Sequence, residues 1–334
     1  MAVLTLTREP VAKKRWTAGH PRTAFLLRRL GRLAVSLAVL VTLAFGMIHL
    51  IPGDPVRTAL GPKAAPELIA ARRHSLWLDQ PVWRQYLHYL HGLVTGDLGT
   101  SITSNLPVSD IISARLPSTA ELAGISFLVI MFSAVPIGML AAVVTRGGRR
   151  RGTELGFTSV TGLLATVPEF LLGVGLVVAF GVTLRWFPVA GKAGPESYVL
   201  PVAALSLGSI AALARIVRSE TLNVLGEEYM RTARSKELPA RLLYLRHALP
   251  NMLTATLTLG GLLLAGLIGG TVLVENVFSL PGLGTLLVNS VSSRDYPVVQ
   301  GVTLLFAVLI VLINLLTDLT QAALDPRVGQ EIGG

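Results

Sequence analysis

The side chains best placed for chemistry sit inside apolar runs. Glu169 follows Pro168 and precedes Phe170 in one such run, and Asn314 and Asp318 stand four residues apart in another. Ionisable groups are costly in hydrocarbon and default to functional readings there. Proline also frees a backbone carbonyl, so the Pro168–Glu169 step is both kinked and polar. Glu169, Phe170, Asn314 and Asp318 are therefore candidates to line a path through a membrane. The equal alternative for Glu169 is a carboxylate bonded to a neighbouring helix, and Asp318, near its run's end, also suits an interfacial base.

Bond-breaking chemistry has no visible set. The sequence holds no G-x-x-x-x-G-K-[ST], H-E-x-x-H or G-x-S-x-G. It has no cysteine and six scattered histidines. Of these, His88 and His91 can share a helical face, but two ligands make a weak metal site. No catalytic residue, metal or bound cofactor is expected in this chain, and any energy from ATP must enter through another one.

The elements that must position these residues are spanning helices. The 334 residues are 51% hydrophobic and 14% charged, against about 25% charged in a typical soluble domain. Six runs approach the ~20 residues a span needs: Leu33–Ile51, Thr119–Val144, Leu155–Leu184, Val199–Arg218, Asn251–Val274 and Val298–Ala322. The net charge of +10 sits between these runs, with no basic face interleaved with aromatics, so nucleic acid is not an expected partner. Arg and Lys crowd the N-terminus and the loops after the second and fourth runs. That distribution places both termini in the cytoplasm. The basic flank of the first run suits a signal peptide, but no small-x-small site follows it, which favours an uncleaved anchor. Arg215 and Arg218 share one face at the inner end of the fourth run and can snorkel to the interface.

Residues 52–117 are not spanning material. They carry turn signals at Pro52-Gly-Asp-Pro and Gly96-Asp-Leu-Gly, and apolar and aromatic residues at helical spacing between Trp77 and Leu90. Asp79 before Gln80-Pro81 is a plausible N-cap. Short helices at the outer surface are expected, serving as a connector or as a receptor-facing lid.

One polar stretch stands out. Tyr229–Pro250 (YMRTARSKELPARLLYLRHALP) is longer than a turn needs, has helical spacing and is broken at Glu237-Leu238-Pro239. As a basic loop it is an orientation signal; as two short helices it is a docking element.

Several blocks in order resemble the permease subunits of dipeptide and oligopeptide ABC importers, the B-type partner in particular. They include His49-Leu-Ile-Pro-Gly-Asp-Pro, Leu78-Asp-Gln-Pro, Gly96-Asp-Leu-Gly-Thr-Ser, Arg185-Trp-Phe-Pro-Val-Ala-Gly and Arg215-Ile-Val-Arg-Ser-Glu. Glu228-Tyr-Met-Arg-Thr-Ala-Arg-Ser-Lys, the run from Gly269 to Gly284, Arg294-Asp-Tyr-Pro, Asn314-Leu-Leu-Thr-Asp and Asp325-Pro-Arg complete them.

The resemblance implies an all-α, six-span permease of the type I ABC importer fold. Its parts would be a cytoplasmic N-terminus (1–32), a first span (33–51), an extracytoplasmic segment (52–117), a core (118–323) with coupling helices at 227–249, and a tail (324–334). It implies a homologous second permease as heterodimer partner and two ATPase subunits, or one fused ATPase, carrying ATP and Mg. An extracytoplasmic solute-binding protein and a surrounding inner-membrane bilayer complete the system. Di- or oligopeptides are the implied cargo, with nickel chelates or glutathione as alternatives. A free-standing secondary transporter or channel, and a peptide-sensing receptor, are the rivals from other classes.

The signature EAA-x(3)-G-x(9)-I-x-LP of such permeases falls on Arg231-Thr232-Ala233, Glu237 in place of the glycine, His247 in place of the isoleucine, and Leu249-Pro250. Tyr229, Met230, Arg231, Thr232, Ala233, Arg234, Lys236, Glu237, Pro239, Arg241, Leu249 and Pro250 are thereby expected to couple to the ATPase. Asp54, Trp77, Asp79, Gln80, Asp97, Arg294 and Asp295 are expected on the outer, binding-protein face. Since Pro239 restricts Leu238 and suits the first turn of a helix, the break is expected to be set by proline, with Glu237 in an ordinary conformation.

Overall fold

The computed structural model describes residues 21–50, 56–57, 61, 64–148 and 150–324. Among these, helices account for nearly everything, and the only extended pairing is one isolated bridge between Thr100 and Pro107. Asp54, the 52–55 turn and the tail after residue 324 lie outside the described residues.

Helix α1 (Pro21–Leu50) leads to two short helices, α2 (Pro66–Ser75) and α3 (Val82–Thr95). The long α4 (Val108–Thr145) begins inside the stretch expected to be an outer loop. It tolerates Pro117 and Pro136, as helices packed in bundles do when neighbours satisfy the freed carbonyls. Then come α5 (Arg151–Thr166), α6 (Glu169–Leu176, extended by a π-helical turn Val177–Thr183) and α7 (Val199–Gly226). Two short elements follow, α8 (Glu228–Ser235) and α9 (Ala240–Leu242, continued by a π-helical turn Leu243–Ala248). The chain closes with α10 (Leu249–Val277), α11 (Leu283–Ser292) and α12 (Tyr296–Leu324).

Among the described residues, four helical stretches are long and apolar enough to cross a membrane, at Val108–Gly148, Pro195–Gly226, Thr256–Val277 and Tyr296–Gln321. Two further pieces, Arg151–Thr166 and Glu169–Thr183, reach that length and apolarity only together and are bent by 97° where they meet, the geometry of a broken span or a re-entrant pair. The third apolar run is thus not a single rod. Val167 and Pro168 are extended (ψ 125° and 140°), since the residue before proline is pushed out of the α region and Pro168 supplies no N–H to continue α5. Within α1, Gly31–Gly46 is apolar but shorter.

The core is helix on helix. Leu122, Ile130 and Ala134 of α4 pack with Leu205, Leu213 and Val217 of α7 and with Leu267 and Val274 of α10. Gly138 lets α4 and α7 touch: a Cβ there would lie 2.6 Å from the Ala214 carbonyl and the Val217 side chain. This is the small-residue packing that replaces hydrophobic drive inside lipid. A second cluster joins Val108 and Ile112 to Leu283 and to Val298, Val302 and Phe306 of α12. Large apolar side chains such as Phe132 and Leu163 remain 77% and 70% exposed, consistent with a surface that faces lipid or a partner subunit rather than water.

Candidate functional site: a docking hairpin under the bundle

The polar stretch folds into two short helical elements hung below α7. Glu227 (ψ 152°) breaks α7 from α8, and Pro239 (ψ 143°) opens α9. Met230 and Ala233 point inward and pack with Leu225, Leu243 and Ala248, against Val143, Val224, Leu238 and Tyr244. Arg234, one turn after Met230, lies on the same inner side and donates to the Leu225 carbonyl at 2.5 Å. Tyr229, Arg231, Thr232, Lys236, Glu237, Pro239 and Arg241 are exposed, together with Leu242, Leu245 and Arg246. Leu249 is half-buried, and Pro250 is exposed in the first turn of α10, where its missing N–H costs nothing.

The expected coupling residues therefore divide by face. Met230, Ala233 and Arg234 hold the hairpin to the spans and are not available to a docking partner. An amphipathic helix of two turns makes this division, which motif matching alone does not show. Desolvation raises the Tyr229 phenol above its usual range, with Glu227 nearby adding to it.

Glu237 corrects the expectation placed on Pro239. Its φ is +54°, the left-handed conformation, and its N–H donates to the Arg234 carbonyl at 2.9 Å. Lys236 ends α8 and the residue after it reverses the chain, which is the left-handed C′ position of many helix ends. Proline two residues on does not relieve this. Glu237 does what the signature's glycine would do, at a cost of about 1–2 kcal/mol.

Inside the bundle, Glu169 starts α6 at the 97° bend. Its carboxylate lies against the bare backbone of Gly270, where a Cβ would sit 2.3 Å from Oε2 and 3.0 Å from Leu205. Phe170 beside it is 43% exposed. Asn314 is exposed and Asp318 half-buried on α12. Their neighbour Thr317 meets Gly261 of α10. Gly261 and Gly270 are nine residues apart, or about 13 Å along a helix, so Glu169 and the Asn314–Asp318 pair occupy different levels. Arg218 does not snorkel: it pairs with Glu154 of α5 at 2.6 Å and donates to Thr145 Oγ1 of α4. Arg215 is exposed.

On the other end of the bundle, Asp295 is 3% exposed and turned inward, so it does not face outward as expected. Its carboxylate accepts from Ser101 Oγ and from the N–H groups of Ile102 (3.0 Å) and Thr103 (3.3 Å). Arg294 beside it is exposed at φ +56°. Asp79 is not an N-cap: it takes a hydrogen bond with His74 at 2.8 Å, while Pro81 holds the cap position of α3. Gln80 is half-buried, and its backbone carbonyl accepts from Gln85. Trp77 stacks on His88 with centroids 4.3 Å apart. Asp97 is exposed and caps its own turn through the Gly99 N–H at 2.9 Å.

Two polar networks escaped the sequence reading. Glu275, 1% exposed, accepts from Thr119 Oγ1 (2.7 Å), Gly284 N–H (2.7 Å) and Thr285 N–H (3.3 Å). Glu121 pairs with Lys192 at 2.8 Å and accepts from Tyr198 Oη at 2.7 Å. The only sequence signal for the first was a carboxylate seven residues before Gly282 in an apolar run.

A helical bundle of membrane-crossing length with a basic two-helix hairpin at one end defines a multi-pass membrane protein. The chain belongs to the family described as "Binding-protein-dependent transport system inner membrane component", whose model matches residues 134–330; the matching N-terminal model of such membrane components covers residues 22–123. It is therefore a membrane component of an ABC importer, a class that works with ATPase and binding-protein partners.

Over 305 residues it is 40% identical to the Glutathione transport system permease protein GsiC of Salmonella typhimurium, covering 91% of this chain and 98% of that one. The protein of the same name in Shigella flexneri is 39% identical over 306 residues, with the same coverage. Inward-facing structures of the MetNI methionine ABC transporter share the fold. In two crystal forms they give TM-scores of 0.53 and 0.55 at 17% and 18% identity, over 64% of this chain and 96% of theirs.

Proposed function

We propose that this chain is one half of a permease that imports small peptides by alternating access, driven by ATPases docked on α8 and α9. The observation that carries the reading is the division of the hairpin into an inner apolar face and an outer polar one. A surface that only marked membrane orientation would not bury Met230 and Ala233 to fix the helix beneath the spans. Closure of an ATPase pair would push α8, and α8 would move α7 through Leu225 and α4 through Val143. The chemistry of ATP and Mg stays in the partner subunits.

The cargo is a di- or oligopeptide, and the relatives named for glutathione support a short peptide with a free thiol as the first substrate to test. The second permease is a homologue in a heterodimer, with six spans in each and both termini in the cytoplasm. Glu169 and Phe170 at the broken span, and Asn314 and Asp318 on α12, are the pathway candidates. Trp77, Gln80, Asp97 and Arg294 present side chains for an outer partner. The test is uptake of labelled glutathione and of a dipeptide into vesicles holding the complete complex, with ATP inside and loaded binding protein outside. Uptake of neither, with ATPase activity still stimulated by some other loaded receptor, would sink the peptide assignment.

A further inference from the structure

Glu169 is a carboxylate that the bundle leaves unanswered. Elsewhere Glu154 pairs with Arg218, Glu121 pairs with Lys192, and Glu275 accepts from Thr119, Gly284 and Thr285. Among the described residues, Glu169 has neither a hydrogen bond nor an ion pair, and no charged neighbour acts on it. The compensation at hand is the N-terminus of its own helix, α6, which carries only about half a positive elementary charge. A carboxylate kept inside a membrane without a fixed partner points to a cation that arrives from elsewhere.

The surroundings of this carboxylate are open. Glu169 is half-buried, and Pro168 and Phe170 on either side of it are exposed. Val167 and Pro168 are extended, and non-helical backbone at membrane depth is tolerated only where protein buries it or where it lines a water-filled cavity. This chain does not bury Pro168. Across from Glu169, α10 presents backbone without side chains. A Cβ on Gly270 would lie 2.3 Å from the carboxylate, so only glycine leaves room for it, whereas a Cβ on Gly266 or Gly269 would meet nothing within 4 Å. Both of those glycines are exposed, and both lie within about 6 Å of Gly270 along the helix. The carboxylate thus stands at the edge of an open, bare-backbone face.

We propose that Glu169 is the cation-selecting residue of the transport path, its carboxylate receiving the α-ammonium of a peptide that passes along the 266–270 face of α10. The assignment rests on the peptide import proposed above. An ammonium brings a full positive charge and three donors, and the glycines leave width for the peptide behind it. One charge-assisted contact to a half-buried carboxylate holds cargo loosely, as a path must in order to release it. A basic side chain of the second permease is the competing source of the cation.

The chain has no cysteine, so Gly269→Cys places a single thiol on this face, where a Cβ meets no obstacle. In the complete, nucleotide-free importer complex, a cationic, membrane-impermeant methanethiosulfonate is expected to label it, read by the mass of this chain. Excess dialanine is expected to slow that labelling. N-acetyl-dialanine, which lacks the ammonium, should protect at least about tenfold more weakly, the loss of one hydrogen bond to a charged group. Adding Glu169→Gln should bring both peptides to the same weak protection. Glu169→Asp should restore part of the difference, which a purely structural defect would not do. If Glu169→Gln does not assemble, the comparison of the two peptides on Gly269→Cys alone still reads the site. Absence of labelling overturns the proposal, because the face then lies against lipid or the second permease. Equal protection by both peptides overturns it too, as does a difference that survives Glu169→Gln. Separation of the two permeases by Glu169→Gln, with both peptides protecting Gly269→Cys alike, would make the second permease the source of the cation. Failure of the wild-type complex to take up any peptide would sink the cargo assignment instead, whereas peptide uptake without ammonium dependence sinks only the role of Glu169.

Discussion

Glu275 and Thr119, 156 residues apart in sequence, are joined by a 2.7 Å hydrogen bond from the threonine hydroxyl to the carboxylate. Thr119 Oγ1 in turn accepts the Leu283 N–H at 2.8 Å, and Glu275 accepts those of Gly284 and Thr285. One carboxylate and one hydroxyl thus satisfy three first-turn N–H groups of α11, which no other helix residue can reach. Glycine is required beside them: a Cβ on Gly282 would lie 2.3 Å from the Glu275 carboxylate.

Removing this carboxylate leaves buried donors without acceptors, each costing about 1–3 kcal/mol. Glu275→Ala is expected to lower the thermal midpoint of the detergent-purified complex markedly. Thr119→Val, which strands only the Leu283 N–H and one carboxylate oxygen, should have a smaller effect. Equal midpoints for wild type and Glu275→Ala would show that water or lipid satisfies α11 instead.

Glu237 offers a stabilising change. Glu237→Gly relieves the left-handed backbone at φ +54°, worth about 1 kcal/mol against the added freedom of glycine in the unfolded chain. The expected result is slower cleavage by protease within 236–240, with ATPase association retained. Faster cleavage would mean that the side chain, not the backbone, holds the turn.

The two faces of α8 predict two phenotypes. Arg231→Glu alters only the exposed face, so the permease should fold normally yet lose ATPase association and stimulated hydrolysis. Ala233→Glu buries a charge against Leu225 and Leu243, so the hairpin itself should unfold and the yield of permease fall. Should Arg231→Glu keep full association, the exposed face is not the docking surface.

Asp295 holds the 101–103 loop through one hydroxyl and two N–H groups. Asp295→Ala is expected to raise amide exchange at Ile102 and Thr103 at least tenfold, corresponding to about 1.4 kcal/mol or more, within the range for a hydrogen bond to a charged group. Unchanged exchange would place the loop's order elsewhere.

The turn between α2 and α3 should be acid-sensitive. The His74 hydrogen bond holds the Asp79 carboxyl below its usual 3.8. The contact therefore contributes stability above that value and loses it as pH falls through the lowered folded pKa. Amide exchange across 77–82 should rise as pH drops below about 4, beyond the intrinsic pH dependence, and Asp79→Asn should abolish that extra rise.

The sequence by itself determined the membrane class, the helical content and the position of the basic two-helix hairpin. Those features rest on local composition: runs of apolar residues long enough to span, a proline at 168 that stops one helix and another at 239 that opens the next, and charge between the runs. Blocks in recognisable order then pointed to the family. Tertiary structure alone decided which hairpin residues face out, that Asp295 and Glu275 turn inward, and that Arg218 meets Glu154. The inward carboxylates and the Arg218–Glu154 pair depend on which helix lies alongside, through contacts 64 to 194 residues apart in sequence, and the hairpin's faces on its packing against Leu225 and Val143. Glu237 lies between the two cases. Its neighbourhood in sequence announces a break, but whether the glutamate or the proline carries the unusual backbone is set by how α8 must return to the foot of α10. A buried polar group is satisfied by whatever packing brings near it, and spacing along the chain holds no record of that.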